Sequence, residues 1–252
     1  MKPWEIVQKI LLDIKNRAKI GMKLSELDVI AEVALFQQNA ISCNKGYTGQ
    51  DIWDEKVKPK DPFPTSIVCN VNSVVAHGHA SDYVIRDGDT ICIDLGVEKD
   101  GICGDGAITF GIGNVKKEHQ KLLRYARLTT LEGITCIKAG QSMAEYGRIV
   151  ENYAAKKGFV INQTFASHAI GTKMHEEPVI PNYRTTEYIG TYFEEGKMYC
   201  IEPILTYKDV WGMRAGDWAF VTRDGKRAAM FETQVLVTKT GCINLMPELL
   251  KP

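Results

Sequence analysis

Apolar residues recur at helical spacing near the N-terminus, where Ile6, Ile10, Leu11 and Ile14 punctuate a charged background and predict an amphipathic helix. A second set, Leu24, Leu27, Ile30, Ala31 and Ala34, predicts another helix soon after. From Thr90 to Gly96 the apolar residues alternate instead, and Asp100-Gly101 supplies a two-residue hairpin turn before a second strand-like run, Ile102 to Phe110. In the C-terminal half, Ser142 and Glu145 have capping-box spacing, which predicts a helix from about Met143 to Lys157. Strand-like runs follow. Lys197 to Glu202 ends at a carboxylate that Pro203 holds extended, and Ala228 to Val237 reads as one apolar strand interrupted by Glu232.

Lys19-Ile20-Gly21, followed by Glu26 and Ile30, can be laid on Lys138-Ala139-Gly140, followed by Glu145 and Ile149, at one constant offset. Each half thus begins alike, with a helical part leading to a strand-rich part, about 66–112 and about 159–239. This predicts an α+β fold: one catalytic domain over 1–252, its halves (about 1–115 and 116–252) facing one another around a shared antiparallel sheet with flanking helices. The stretch from Lys45 to Pro64, rich in Gly, Pro, Lys and Asp, reads as a long loop of the kind that is functional or mobile.

Composition narrows the function classes. With 252 residues, 44% of them hydrophobic, the chain can bury a large core, and 31 basic against 31 acidic residues leave no net field to draw nucleic acid or an anionic membrane. No segment approaches the roughly 18 uninterrupted apolar residues of a membrane helix, and the N-terminus reads as helix without a signal-peptide core. Seven cysteines, an odd set with no CxxC pair, fit a reduced cytoplasm. Partner choice must then come from a site.

Asp94 and Asp105 lie across the predicted hairpin. A two-residue loop pairs residues whose numbers sum to an odd value, so the two carboxylates project from one face, opposite or one diagonal step apart. Such residues can simply face solvent, but Cys92, Cys103 and Ala107 share their face, and carboxylates among apolar neighbours suffer a desolvation cost unless metal or base neutralises them. His168 and His175 stand seven residues apart around Gly171, a weak signal alone. Glu202 and Glu232, each set in an apolar strand, add to it. Four hard oxygen donors with an imidazole suit a pair of divalent ions such as Mn, Fe, Co or Zn.

The order of motifs resembles the type I methionine aminopeptidase family and its pita-bread fold, from about Ile14 to Leu245. Phe63-Pro-Thr-Ser66 leads to Asn72-Ser-Val-Val-Ala-His77-Gly78, Asp87-Gly88-Asp89, Ile93-Asp94, Gly104-Asp105, His168-Ala-Ile-Gly171, His175-Glu-Glu-Pro178, Ile201-Glu202-Pro203 and Glu232. The resemblance implies a cytoplasmic, monomeric hydrolase that removes the first methionine of nascent polypeptides, near the ribosome, favouring a small second residue. It implies that Asp94 chelates one of two divalent ions, His168 and Glu202 the other, and that Asp105 and Glu232 bridge both. His77 and His175 would contact the substrate amide and polarise its carbonyl, and Glu202 would shuttle the proton. Phe63, Val68, Met174 and Trp218 would line the methionine pocket, and carbonyls near Asn72, Val74 and Ala228 would hold a monovalent cation.

The chain departs from the family pattern at Ser167 and Ala169, where glycines usually flank the ligand histidine, at Gly106, where threonine or serine is usual, and at Thr233, where histidine is common. These imply altered support around the metals. Met174 stands where phenylalanine is usual, and the Lys45 to Pro64 loop is longer than in typical bacterial members, so that Trp53 or Phe63 could supply a missing ring. Rival readings are an aminopeptidase P or prolidase, which needs an added N-terminal domain, a type II enzyme, which needs a large insertion, and a non-catalytic peptide-binding relative, which the five retained ligands disfavour.

Overall fold

The computed structural model describes residues 1–49 and 58–252. The first half runs α1 (Pro3–Arg17), α2 (Leu24–Gln37), β1 (Ile41–Ser42), β2 (Val68–Val71), β3 (Val74–Ala76), β4 (Thr90–Lys99) and β5 (Ile102–Gly111). The second runs α3 (Lys117–Thr135), α4 (Met143–Lys156), β6 (Val160–Ile161), β7 (Ser167–Ile170), β8 (Glu176–Ile180), β9 (Met198–Ile201), β10 (Ile204–Thr206), β11 (Met213–Ala215), β12 (Ala219–Val221), β13 (Ala228–Met230), β14 (Thr233–Val237) and β15 (Cys242–Asn244), closed by a short 3-10 turn at Pro247–Leu250.

The predicted repeat has a structural counterpart. Gly21 and Gly140 both take positive φ, 88° and 78°, a region that glycine enters without strain, and each donates its N–H to a carbonyl downstream, Ile85 and Phe193, at 2.9 Å. Two residues on, Lys23 bridges Val84 and Ser142 bridges Tyr192, and helices of 14 residues start at Leu24 and Met143. The helix start at Ser142 differs from expectation in one respect. No side-chain cap forms there, because Glu145 pairs with Arg148 instead, whereas Glu26 does reach back to the Lys23 N–H at 2.7 Å.

β4 and β5 form the predicted hairpin over ten residue pairs, with Asp94 opposite Ala107 and Gly96 opposite Asp105. The two aspartates are thus one diagonal step apart on one face, as the turn arithmetic requires. On the other edge of β4 lie β2 and β1. The opposite face of the hairpin carries small residues so that helices can approach: a Cβ on Gly104 would lie 2.5 Å from the Trp4 nitrogen of α1. Ile6, Ile10, Leu11 and Ile14 are buried there with Ile91, Ile93, Leu95 and Ile108 in the main core. In the second half, β15-β14-β9-β7-β8 form one antiparallel sheet and β13-β10-β6 another.

The halves join where the free edge of β5 meets β13 and β14. The Glu232 N–H donates to the Ala107 carbonyl at 2.9 Å, and the Asp105 N–H to Gln234 Oε1 at 3.3 Å. The single strand expected over Ala228–Val237 is broken at Phe231–Glu232, since this peptide turns from its β10 ladder to reach β5 before resuming on β9. The break is what presents the Glu232 carboxylate at the junction. No described helix is long and apolar enough to cross a membrane.

Candidate metal centre and active site

At the junction a cleft of about 920 Å³ collects nearly every residue singled out in the sequence: Asp94, Asp105, His168, Glu202 and Glu232 at one end, with His77 and His175 beside them. Asp105, His168 and Glu232 are 5%, 5% and 2% exposed, and with Cys200 they offer donor atoms all within 4.8 Å of one another. Asp94 and Glu202 complete the wall of the same cleft. Asp105 Oδ1 and Glu232 Oε1 are buried and receive no hydrogen bond among the described residues. Acceptors buried without donors are costly, and a cation between them removes the cost.

The electrostatics agree. Burial, reinforced by Asp105, pushes the Asp94 carboxyl well above the usual carboxylate range, and burial, then the neighbouring acids, does the same to Glu202 and Glu232. Burial raises Asp105 to about 6, against a smaller opposing influence of His175. The same burial lowers His168 to about 3 and His77 to about 4, so both imidazoles are neutral near pH 7. The Nδ1 of His168 lies 2.9 Å from the Ala169 carbonyl, leaving Nε2 aimed into the cluster, 3.5 Å from Glu202 Oε1 and 3.9 Å from Asp105 Oδ2. Oxygen-rich donors with one imidazole, charged only at a cost, fit divalent cations.

Backbone devices aim these groups. His77 has φ 56°, and Gly78 after it comes so close to β2 that a Cβ would sit 2.4 Å from the Cys69 carbonyl. The turn carrying His175 is held by Glu176, which accepts the Thr172 and Lys173 N–H groups at 2.8 and 3.1 Å. Gly171 matters there for space, since a Cβ would lie 2.9 Å from both Glu176 oxygens.

The departures from the expected pattern resolve into local packing. Gly106 faces away from the cleft, where a Cβ would lie 2.7 Å from Met246 Cε, so its substitution leaves the cluster itself intact. Ser167 adds support: its Oγ accepts the Glu202 N–H at 3.0 Å and donates to Asn182 Oδ1 at 2.7 Å, which also accepts the Tyr146 hydroxyl. Thr233 Oγ1 turns to Asn244. Asn72, expected to offer a cation its carbonyl, uses it to accept the Ala228 N–H at 3.0 Å.

Beside the cluster, Phe63, Val68 and Trp218 pack together with Tyr47, and Phe63 and Trp218 meet edge to face at 5.3 Å. Met174 lines the same cleft. Tyr47 was not anticipated: its ring is 6.1 Å from Trp218 and its hydroxyl 3.4 Å from His175 Nδ1. Phe165 and Phe220 were also missed, stacking edge-on at His77 at 4.8 and 6.3 Å. Cys200, beside Asp105, His168 and Glu232, carried no local signal in the sequence. Trp53, the other candidate ring, lies outside the described residues.

The pattern of metallopeptidase family M24 matches residues 3–239. The chain belongs to that family. A methionine aminopeptidase of Helicobacter pylori is 33% identical over 248 residues, 97% of this chain and 93% of that protein. The crystal structure of a methionine aminopeptidase from Thermotoga maritima superposes with a TM-score of 0.87 at 24% identity, covering 97% and 93% of the two chains, which shows the shared pita-bread fold. A Pyrococcus horikoshii prolidase has the fold too, with a TM-score of 0.70 at 20% identity, but this chain spans only 59% of it. The M24 chain thus matches the methionine aminopeptidases over their length and the prolidase over part of its own.

Proposed function

We propose that this M24 protein is a type I methionine aminopeptidase, removing the N-terminal methionine of nascent polypeptides with two divalent ions held by Asp94, Asp105, His168, Glu202 and Glu232. The observation that carries the reading is the pair of buried carboxylate oxygens without donors among the described residues, Asp105 Oδ1 and Glu232 Oε1, in one cleft with an aromatic pocket. Bound there, the ions would supply Lewis acidity toward the scissile carbonyl and acidify water.

The residues do the rest. Phe63, Val68, Trp218, Tyr47 and Met174 enclose the methionine side chain, whose thioether suits aromatic and sulfur walls. His77 and His175 stand beside the cluster where the substrate amide and carbonyl come to lie, His77 as a neutral imidazole able to donate. Glu202, held by Ser167 through its N–H, takes the proton of the attacking water at its carboxylate and passes it to the leaving amine. The hairpin of Asp94 and Asp105 with His77 leaves space for a small second residue. The chain acts as a monomer in the cytoplasm, on chains emerging from the ribosome.

The test is metal analysis with turnover of Met-Ala and Xaa-Pro peptides before and after chelation. Cleavage of Met-Ala that stops on chelation and returns with divalent ion is the expected result. Preference for Xaa-Pro, or turnover indifferent to chelation, overturns it.

A further inference from the structure

Two cysteines outside the carboxylate cluster meet across the middle of a sheet. Cys43 Sγ lies 3.9 Å from Cys103 Sγ, and Cys103 Sγ is 3.7 Å from the Thr172 carbonyl. Cys43 is half-buried and Cys103 3% exposed, and all cysteines here are free. The two belong to opposite edges of β4: Cys43 follows β1 and donates its N–H to the Gly96 carbonyl, and Cys103 is on β5 opposite Glu98. They reach each other because Gly96 between them has no side chain. A Cβ there would lie 3.0 Å from Cys43 Cβ and 2.5 Å from Met174 Sδ, so the Cys43 and Met174 side chains crowd one bare position, with Cys103 Sγ 3.9 Å from Cys43 Sγ.

The separation discriminates between the ways two thiols can be joined. A disulfide holds its sulfurs about 2.05 Å apart, so an S–S bond would have to draw the two thiols together from 3.9 Å across β4. A metal ion needs no such movement. Two thiolates bound at about 2.3 Å with a tetrahedral angle stand about 3.8 Å apart, close to the spacing present.

We propose that Cys43 and Cys103, with the Met174 thioether as third donor, form a second metal site for one thiophilic closed-shell cation of the Zn(II), Cd(II) or Cu(I) class. Binding forms two metal–sulfur bonds and releases the two thiol protons to solvent, with no change of oxidation state. Soft sulfur donors favour such ions over Mn(II), so the sulfur site fills while Mn(II) holds the carboxylate cluster. Occupation also draws Met174 from the cleft wall, so it weakens methionine recognition; that consequence alone rests on the function proposed above.

The probe is cadmium, added to protein whose carboxylate cluster is first saturated with Mn(II), and the readout is the ultraviolet sulfur-to-cadmium charge-transfer band, which needs no turnover. One equivalent should saturate the band. C43S and C103S should each weaken cadmium binding at least about 100-fold. M174L should retain the band with weaker binding, and C200S should leave it unchanged. Thermal melts of each variant establish that it is folded. A band that survives in folded C43S or C103S, that vanishes in C200S, or that never appears overturns the site. So does a Cys43–Cys103 disulfide in the mass spectrum of air-exposed protein, because it would mean the two thiols close on each other without an ion.

Discussion

Replacing Asp105 by asparagine should stabilise the metal-free protein and destabilise the metal-loaded one. Burial holds the Asp105 carboxyl at about 6 against an ordinary value of 3.8, a gap worth about 3 kcal/mol against the native state at neutral pH. The sign follows from proton counts. Below pH 3.8 both native and unfolded chains hold the proton, and the cost is absent. Between 3.8 and about 6 the unfolded chain has released its proton and the native one has not, so stability falls as pH rises, and above about 6 the full cost is present. Asparagine carries no charge and escapes this, but its amide must find an acceptor in the cluster, a loss of about 1 kcal/mol. The net gain of about 2 kcal/mol corresponds to about 4–8 °C in Tm for a chain of this size. Asp105 is also among the charges raising Asp94, Glu202 and Glu232, so its removal eases them too.

Saturating metal reverses the order, since wild type gains about 2.7 kcal/mol at a hundredfold excess over Kd. A variant lacking a bridging ligand gains much less. Calorimetry of both proteins in chelator and in Mn(II), at acidic and neutral pH, reads the crossing. The reasoning fails if the variant melts below wild type in chelator at neutral pH, or if metal raises both melting points equally.

Glu202→Gln should keep its fold and lose kcat by roughly two to four orders of magnitude; an effect confined to KM in steady-state assays would remove it as proton carrier. His175→Ala should lower kcat with metal content near wild type, and metal loss matching that of His168→Ala by elemental analysis would make it a ligand. Met174→Phe should sharpen methionine over leucine or norleucine only modestly, because Tyr47 already supplies an aromatic wall, and an apolar pocket discriminates such side chains by about 1 to 3 kcal/mol. Tyr47→Ala should erode that selectivity more; kcat/KM on the three dipeptide series decides, and a larger gain from Met174→Phe than loss from Tyr47→Ala assigns the pocket to Met174.

Local geometry was legible where chain chemistry fixes it. Asp100-Gly101 sets the parity of the hairpin, so the diagonal placement of Asp94 and Asp105 followed from numbering alone. Gly21 and Gly140 marked equivalent helix entries because both need positive φ. Where alternatives compete for one side chain, pattern failed. Glu145 had capping-box spacing, but Arg148 was near enough to take its carboxylate. The apolar run around Glu232 concealed a break, since periodicity records burial and not which strand a peptide pairs with.

Residues joined only by the meeting of the halves were invisible in sequence. Tyr47 sits in the loop after β1 yet touches His175 and Trp218, more than 120 positions away, and Cys200 on β9 reaches the Asp105 carbonyl on β5 at 3.9 Å. The departures from the family pattern could be counted in sequence, but their weight depended on which side of a strand they face. Gly106 opens space for Met246 behind the sheet, whereas Ser167 gives the Glu202 N–H an acceptor that glycine lacks. If Ser167 fixes the Glu202 backbone in this way, the loss of flanking glycines leaves Glu202 better held, because the Ser167–Asn182–Tyr146 chain is wholly buried and each member has its partner.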